Sequence, residues 1–244
     1  MSLTEINIRE KDFHNKLHSS GNPRAQNKYY KALHNLYEDF LIFLKNNAQN
    51  KNVLDFGCGS GGYAEKVVNF NPSKLTAIDI SEKAIKIAKS KGYNKIDFKV
   101  ENCESTNLDS NSFDVIYGVG ILHHLSLKKT VREIERLLRK DGNLFFIEPL
   151  GTNPIINLYR KFTPNARSDD EHPLTFSDIR YFESLLDRVK IHYYGFLTLI
   201  FLPLYKSPKN SKIFSFLSKI DKILFTIPFF KFLAWSVLIE AKKN

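Results

Sequence analysis

The sequence predicts an α/β fold in which a mostly parallel sheet carries helices on both faces. Short apolar segments alternate with segments whose apolar residues recur at helical spacing, and this pattern indicates strand–helix–strand units. The stretch 53–62, VLDFGCGSGG, places four of the chain's eleven glycines directly after the first apolar segment. Asp55 and Asp79 close the first two predicted strands, and ligands of parallel sheets bind at such strand ends.

The N-terminal region, 1–48, predicts a helical cap. We expect a helix over 23–47 because Asn22 can cap it and Pro23 suits its first turn. Apolar residues recur at helical spacing along this helix, namely Leu33, Leu36, Tyr37, Phe40 and Leu44.

The segment 49–150 predicts five strands and the helices between them. The predicted strands are 52–56, 75–80, 95–100, 113–117 and 143–148. The predicted helices are 60–70, 82–90 and 128–139. Ser81 can cap the second of these helices, and the pair Asp141-Gly142 ends the third.

The remaining segment, 151–244, predicts a long loop with a helix at 155–162, and then a helix over 175–186. Two further strands at 188–199 and 234–241 bring the predicted sheet to seven strands. An apolar and basic insertion, 196–233, precedes the last strand. We expect it to be helical and to belong to the same domain as the sheet.

Composition indicates a globular protein of the cytoplasm. The chain is 43% hydrophobic and 25% charged, which is ordinary for a soluble domain. The N-terminus is polar and lacks the apolar core of a secretion signal. Cys58 and Cys103 form no disulfide framework, as expected in a reducing compartment.

The net charge of +10 is concentrated near the C-terminus. Residues 206–244 carry a net charge of +6, from eight lysines against Asp221 and Glu240. Lysine dominates over arginine throughout the chain, and no arginine stripe or nucleic-acid reader motif is evident. We therefore expect no nucleic-acid partner.

Two interpretations of the glycine cluster compete. Gly57, Gly59 and Gly62 match the G-x-G-x-x-G spacing of dinucleotide sites. A Walker A loop is excluded because no Gly-Lys-Ser/Thr follows. The Asp55 carboxylate would repel a pyrophosphate and would suit a ligand that carries an ammonium group. Asp79 could accept hydrogen bonds from ribose hydroxyls in either case.

Four elements in order, VLDFGCGSGGYA, AIDIS, ENCESTNLDSNSFDVIYGVGILHHL and VREIERLLRKDGNLFFIEP, span about 50–150. With them the chain resembles the class I S-adenosylmethionine-dependent methyltransferases. The resemblance implies a Rossmann-like, seven-stranded sheet, mostly parallel, with segments 1–48, 49–150 and 151–244 as cap, cofactor-binding core and acceptor-binding part. It implies S-adenosyl-L-methionine as the cofactor.

The resemblance also implies which residues hold the cofactor. Asp55, Gly57 and Gly59 would shape the methionine site, and Asp79 would hold the ribose. Asn102 stands where the family commonly has Asp facing the adenine amino group; Cys103 and Glu104 would lie beside the adenine. The backbone of Gly118 would lie near the methionine ammonium. The full expected set is Asp55, Gly57, Cys58, Gly59, Asp79, Ile80, Asn102, Cys103 and Gly118. The structural alternatives are that the glycines only permit tight turns and that the aspartates only cap backbone N–H groups.

Three histidines are candidate general bases. His124 is favoured over His123 because related methyltransferases commonly have His at this position after the fourth strand. His172 follows Asp169, Asp170 and Glu171, which could raise its pKa. A structural role at the start of a helix, or in a solvated acidic loop, is the alternative. Methyl transfer from a sulfonium needs no metal, and the sequence has no linear Cys/His cluster, so we predict no metal site.

Several other residues are expected near the acceptor. Tyr29 and Tyr30 lie on the N-terminal helix, which in this family often covers the cofactor, although core packing would explain them equally well. Arg160 and Arg167 lie in the loop where this fold usually recognises its acceptor and could meet a carboxylate or phosphate.

The insertion 196–233 is too interrupted by charges and prolines to span a membrane. Two interpretations stay open: amphipathic helices on an anionic membrane surface, or a substrate cover, enlarged core or dimer contact. We expect an enzyme that methylates a small lipophilic acceptor on oxygen. The alternatives are a soluble sugar or carboxylate acceptor, an inactive S-adenosylmethionine-binding protein, and nicotinamide-dependent redox chemistry. The oligomeric state is left open.

Overall fold

The computed structural model describes residues 3–19, 28–163, 168 and 170–243. Within them, seven strands form one sheet in the order β3-β2-β1-β4-β5-β7-β6. The strands are β1 Asn52–Phe56, β2 Lys74–Asp79, β3 Ile96–Val100, β4 Phe113–Val119, β5 Leu138–Pro149, β6 Asp187–Tyr194 and β7 Ser236–Lys242. Strands β1 to β5 pair in parallel, and β7 is antiparallel to β5 and β6. The predicted mostly parallel sheet is confirmed.

Ten α-helices accompany the sheet in the described part of the chain. They are α1 Glu5–Ser19, α2 His34–Ala48, α3 Ala64–Val67, α4 Glu82–Ser90, α5 Leu127–Leu137, α6 Pro154–Phe162, α7 Phe176–Leu185, α8 Leu197–Ile200, α9 Lys212–Leu224 and α10 Pro228–Lys231. Side-chain caps fix where several begin. Ser81 accepts a hydrogen bond from the Ala84 N–H at the start of α4, as predicted. Asn153 caps α6 in the same way.

Both faces of the sheet are buried because its strands alternate their side chains between two apolar clusters. Phe56 and Phe146 pack on one face together with residues of α5 and α7. Tyr117 and Phe145 pack on the other face against α2. This two-sided burial explains the continuous apolar runs of the central strands.

Several helix boundaries differ from the sequence prediction. Helix α1 was not predicted, because its residues are mostly polar. The helix expected over 23–47 consists of a 3-10 turn, Lys28–Leu33, followed by α2; Asn22 and Pro23 lie outside the described residues. The helix expected over 60–70 shrinks to α3 and a 3-10 turn, Val68–Phe70.

Two further elements end earlier than predicted, one because the next strand begins and one because the chain turns. The helix expected over 128–139 ends at Leu137, because Leu138 pairs with Phe113 and begins β5. The strand expected over 188–199 ends at Tyr194, since Gly195 turns the chain with a φ of +82°.

The carboxyl edge of the sheet, where β1 to β5 end, also receives the insertion. Ser236 pairs with Pro149 at the end of β5 and with Tyr194 at the end of β6. The residues between β6 and β7 therefore leave and re-enter the sheet at this edge. They form α8, the 3-10 turn Leu202–Leu204, α9 and α10. Among the described helices, none has the length and apolar character that crossing a bilayer requires.

Candidate active site

The glycine loop after β1 requires glycine at specific positions. Gly57, Gly59 and Gly61 adopt φ values of +78°, +52° and +83°, which other residues rarely tolerate. A Cβ on Gly57 would lie 2.4 Å from Cγ1 of Ile121. Gly62 has no positive φ, and no atom beyond its chain neighbours lies within 4 Å of the place where its Cβ would be. The third glycine of the dinucleotide spacing is therefore not needed for close packing, which weighs against that interpretation.

Asp55 lies at the end of β1 and is 2% exposed. Its Oδ2 atom is buried with no hydrogen-bond partner of normal geometry among the described residues. Burial raises the pKa of Asp55 to about 7 and nearby Asp79 adds to this, while the Tyr117 hydroxyl and the Ala64 N–H oppose it. A buried carboxyl group with a free oxygen is suited to a cationic ligand group.

Asp79 at the end of β2 holds the neighbouring loops in place. Its Oδ2 accepts the Gly59 N–H at 2.8 Å, and its Oδ1 accepts the Ser81 N–H at 2.8 Å. Ile80 follows it and is half-buried. Since a carboxylate has more lone pairs than these two bonds use, Asp79 can still accept from hydroxyl groups.

The third predicted contact region follows β3. Asn102 accepts the Glu104 N–H through Oδ1 and donates through Nδ2 to Oδ1 of Asn7 in α1. Glu104 accepts the Ser126 N–H just before α5, which gives this residue a structural role. Burial raises the pKa of the Cys58 and Cys103 thiols, so both are packing groups rather than nucleophiles.

Gly118 in β4 is fixed by close packing. A Cβ there would lie 2.5 Å from Cε1 of Phe146 and 2.7 Å from the Phe56 carbonyl oxygen. The adjacent Asp55 pairs with Tyr117 across the sheet. The glycine loop, both aspartates and the end of β4 thus form one polar edge. The unpartnered buried oxygen of Asp55 would suit the ammonium of S-adenosylmethionine, and the remaining lone pairs of Asp79 would suit its ribose hydroxyls.

Two histidines follow β4 in a 3-10 turn, Leu122–His124. Glu148 of β5 shapes this turn: its Oε1 accepts the N–H groups of Ile121 and Leu122, and its Oε2 lies 2.7 Å from Nδ1 of His123. Burial raises the pKa of Glu148 to about 7, although the N–H groups oppose the shift. The other nitrogen of His123 is 3.8 Å from Glu171. His123 is therefore held between two carboxyl groups.

His124 is buried against α1. Its Nδ1 lies 3.0 Å from Oε2 of Glu10, in a close contact whose angles fall outside normal hydrogen-bond geometry, and its ring packs edge-on against His14. Burial lowers the pKa of His124, and Glu10 partly opposes this. Burial would raise the pKa of Glu10, but contacts with His124, His14 and Ser168 hold it well below its usual range. At neutral pH the pair is thus an ionised carboxylate beside a neutral imidazole.

Glu10 and His14 were missed by the sequence analysis because their helix was not predicted. Ligand-type atoms of Glu10, His14 and His124 lie within 4.8 Å of one another, and so do those of His123, His124 and Glu171. This spacing could accommodate a cation. No linear motif indicates such a site, because α1 and the turn Leu122–His124, here called the histidine turn, are far apart in sequence. The expected absence of a metal stays a prediction.

His172 is exposed, and its Nδ1 bonds to the Asp170 carbonyl oxygen. Its backbone N–H donates to the His123 carbonyl oxygen, while Asp170 forms a two-bond ion pair with Arg9 of α1. The loop that contains Asp170 and His172 thus contacts both α1 and the histidine turn. Asp169 and Arg167 lie outside the described residues.

The remaining candidates have packing partners. Tyr29 contacts Tyr159 of α6, and Tyr30 stacks on Trp235. Arg160 donates to the Leu150 carbonyl oxygen. All three side chains therefore lie near the carboxyl end of β5. Each already contacts another group of the protein there.

Comparison with known proteins identifies the domain to which these residues belong. Residues 54–146 match a family model described as a methyltransferase domain. The uncharacterized protein MJ0638 of Methanocaldococcus jannaschii is 30% identical over 249 residues, covering 96% of this chain and 98% of that protein. The 27-O-demethylrifamycin SV methyltransferase of Amycolatopsis mediterranei is 31% identical over 98 residues, covering 38% of this chain and 36% of that protein.

Structural similarity extends over the whole chain. Geranyl diphosphate C-methyltransferase from Streptomyces coelicolor A3(2), solved with S-adenosyl-L-homocysteine, superposes with a TM-score of 0.66 at 16% identity, covering all of both chains. This likeness shows a shared fold. The first curated relatives are matched over only 33% to 50% of their own length.

Proposed function

Because the chain belongs to the class I S-adenosylmethionine-dependent methyltransferases, we propose that it methylates a small lipophilic acceptor on oxygen. The bound cofactor supplies a methyl group already activated by its sulfonium centre. Asp55, Gly57, Cys58 and Gly59 would hold its methionine part, with the Gly118 backbone alongside. Asp79 and Ile80 would hold the ribose, and Asn102 and Cys103 the adenine.

The observation that carries the proposed chemistry is the buried pair of His124 and Glu10 at the carboxyl edge. A carboxylate beside Nδ1 favours the tautomer with the proton on that nitrogen. Nε2 is then free to accept the proton that an acceptor hydroxyl loses as its oxygen takes the methyl group. The lowered pKa of His124 keeps the imidazole neutral, as a base must be.

Contact between the glycine loop and the histidine turn supports this assignment. Ile121, three residues before His124, packs directly on Gly57. His123 is less suited to the role because Glu148 and Glu171 face both of its nitrogens. His172 ranks behind His124 because it is exposed to water, and water competes with proton transfer from an acceptor.

The lipophilic acceptor is supported by the surroundings of the carboxyl edge. Helix α6 follows β5 there and exposes an apolar stripe of Ile155, Leu158 and Phe162 at helical spacing. Relatives and structural neighbours are named for rifamycin and geranyl diphosphate. The second of these is a C-methyltransferase, so carbon is the alternative methylated atom.

The test is incorporation of an isotope-labelled methyl group from S-adenosylmethionine into lipid and aqueous extracts of the native source. We expect label in the lipid fraction, as an O-methyl group by the carbon NMR shift, and its loss in His124→Asn. Label only in the aqueous fraction would support a sugar or carboxylate acceptor instead. Tight S-adenosylhomocysteine binding without incorporation in either fraction would indicate a binding protein.

A further inference from the structure

Helix α9 is apolar on two opposite faces. One face is buried against the protein through Phe214 and Leu217, and the buried carboxylate of Asp221 lies on the same side. The other exposes Ile213, Phe216 and Ile223, which are 46%, 63% and 66% exposed. Since residues at positions i, i+3 and i+10 share one side of a helix, these three form a continuous stripe. Single exposed apolar residues are ordinary, but a continuous stripe indicates a binding surface.

Exposed apolar side chains also occur in the segments next to α9. After α9, Ile227, Phe229 and Phe232 are each about half or more exposed. Tyr205 and Phe214 join the turn Leu202–Leu204 to α9 in one small core, and this turn exposes Leu204 to 60%. The apolar surface is therefore broader than one helix.

The charged side chains of this segment that border the stripe are lysines, and one of them, Lys222, lies 3.5 Å from Oδ2 of Asp39 in α2. Lys212, Lys219 and Lys222 are exposed on α9 between its apolar residues. Residues 195–235 contain six lysines and a single acidic residue, Asp221. Asp221 is only 4% exposed, because it accepts the N–H groups at the start of α8. No acidic side chain of residues 195–235 therefore offsets Lys212 and Lys219 at the surface.

We propose that this docking face, formed by Ile213, Phe216 and Ile223 with Lys212 and Lys219, binds the surface of an anionic lipid bilayer. Its apolar side chains enter the interface and its lysines meet the headgroups. A second copy of the chain is the less suitable occupant, because a symmetric contact would bring lysines against lysines. The proposal does not depend on the acceptor or on catalysis.

The test measures sedimentation of the full chain with phosphatidylcholine vesicles and with mixed phosphatidylcholine–phosphatidylglycerol vesicles. We expect binding to the mixed vesicles that weakens with salt, and much weaker binding to the neutral ones. Phe216→Ser with Ile223→Ser lowers the partition coefficient by about tenfold or more, since each side chain loses its apolar burial. Lys212→Gln with Lys219→Gln lowers it about fivefold for each lysine removed.

Matched controls lie on helix α4 and the residues after it. Ile87→Ser with Tyr93→Ser removes two exposed apolar side chains, and Lys86→Gln with Lys89→Gln removes two exposed lysines. Both control proteins are expected to bind as the parent does, and thermal unfolding confirms that all variants are folded. Parent protein that stays in solution with mixed vesicles, or apolar variants that bind as well as the parent, would overturn the proposal. So would a parent dimer that Phe216→Ser with Ile223→Ser converts to monomer.

Discussion

Glu10 and His124 form a buried pair from two segments that lie far apart in the sequence. Helix α1 brings the carboxylate within 3.0 Å of the imidazole, and burial strengthens their interaction because little water screens it. In the proposed mechanism the two residues act together: the Glu10 carboxylate favours the tautomer with the proton on Nδ1, and His124 then acts as the base.

We therefore expect His124→Asn to lower kcat by about 10²- to 10⁴-fold, the usual contribution of a general base. S-adenosylhomocysteine affinity should not change. Glu10→Gln should move the rising limb of the kcat–pH profile to lower pH, because Glu10 raises the pKa of His124. Steady-state kinetics and calorimetry measure these effects.

The control for this experiment is a surface pair of the same type. His34 lies 3.1 Å from Glu38 on α2, and His34→Asn should leave kcat unchanged. An unaltered kcat in His124→Asn, with saturating acceptor, would contradict the assignment of the base.

We expect Asp55 to make cofactor binding depend on pH. Its pKa of about 7 means that it is largely protonated at pH 6 and largely ionised at pH 8. Only the ionised form attracts an ammonium group, so S-adenosylhomocysteine affinity should rise roughly tenfold over this interval. Calorimetric titration of the parent, Asp55→Asn and Asp97→Asn would measure it. The rise should vanish in Asp55→Asn and persist in the control Asp97→Asn, whose side chain is 41% exposed and pairs with Lys99. An equal rise in all three proteins would contradict this role of Asp55.

At the level of single residues, the sequence indicated the grouping of residues at the ends of β1 and β2 but not the contacts of the histidines. Asp55, Gly57 and Asp79 follow predicted strands in one short stretch each, so their convergence can be inferred from parallel topology. Glu10, Glu148 and Glu171 gave no such signal. They meet the histidines through tertiary packing, which no local pattern of residues records.

At the level of elements, the strands were predicted more accurately than the helix ends. Buried strands such as β1 have apolar runs that the sequence displays directly. Helix α1 has a polar sequence and is held by side-chain contacts with other parts of the chain, including the bond from the Ser81 hydroxyl to Asn15 and the ion pair of Lys11 with Glu82. Its helical state thus depends on the fold around it.

Asp221 of α9 is the residue that attaches α8 to the rest of the insertion. Its carboxylate accepts N–H groups from Phe196, Leu197 and Thr198, and the Thr198 hydroxyl as well. Asp221→Ala would leave these buried donors unpaired, so the free energy of unfolding should fall by about 2–3 kcal/mol. Urea denaturation measures this change.

An exposed aspartate provides the comparison. Asp12 lies on the outer side of α1, and Asp12→Ala should alter the free energy of unfolding by no more than about 0.5 kcal/mol. Equal stability of the Asp221→Ala and Asp12→Ala proteins would show that Asp221 does not stabilise the insertion as described.

At the level of the whole molecule, ligand binding should stabilise the fold. S-adenosylhomocysteine at 100 times its Kd should add about 2.7 kcal/mol of stability. For a chain of this size that is a rise in Tm of about 5–10 °C. NAD should leave Tm unchanged, because Asp55 disfavours its pyrophosphate. Thermal unfolding with each ligand would measure the difference, and a rise with NAD alone would contradict the cofactor assignment.

The entry and exit of residues 195–235 at the paired positions Tyr194 and Ser236 have an evolutionary consequence. A segment that begins and ends at neighbouring points can be lengthened, shortened or recombined while the strand register stays intact. Divergence within that segment would change the proposed docking face, while the glycine loop, Asp55 and Asp79 at the other strand ends would be inherited unchanged.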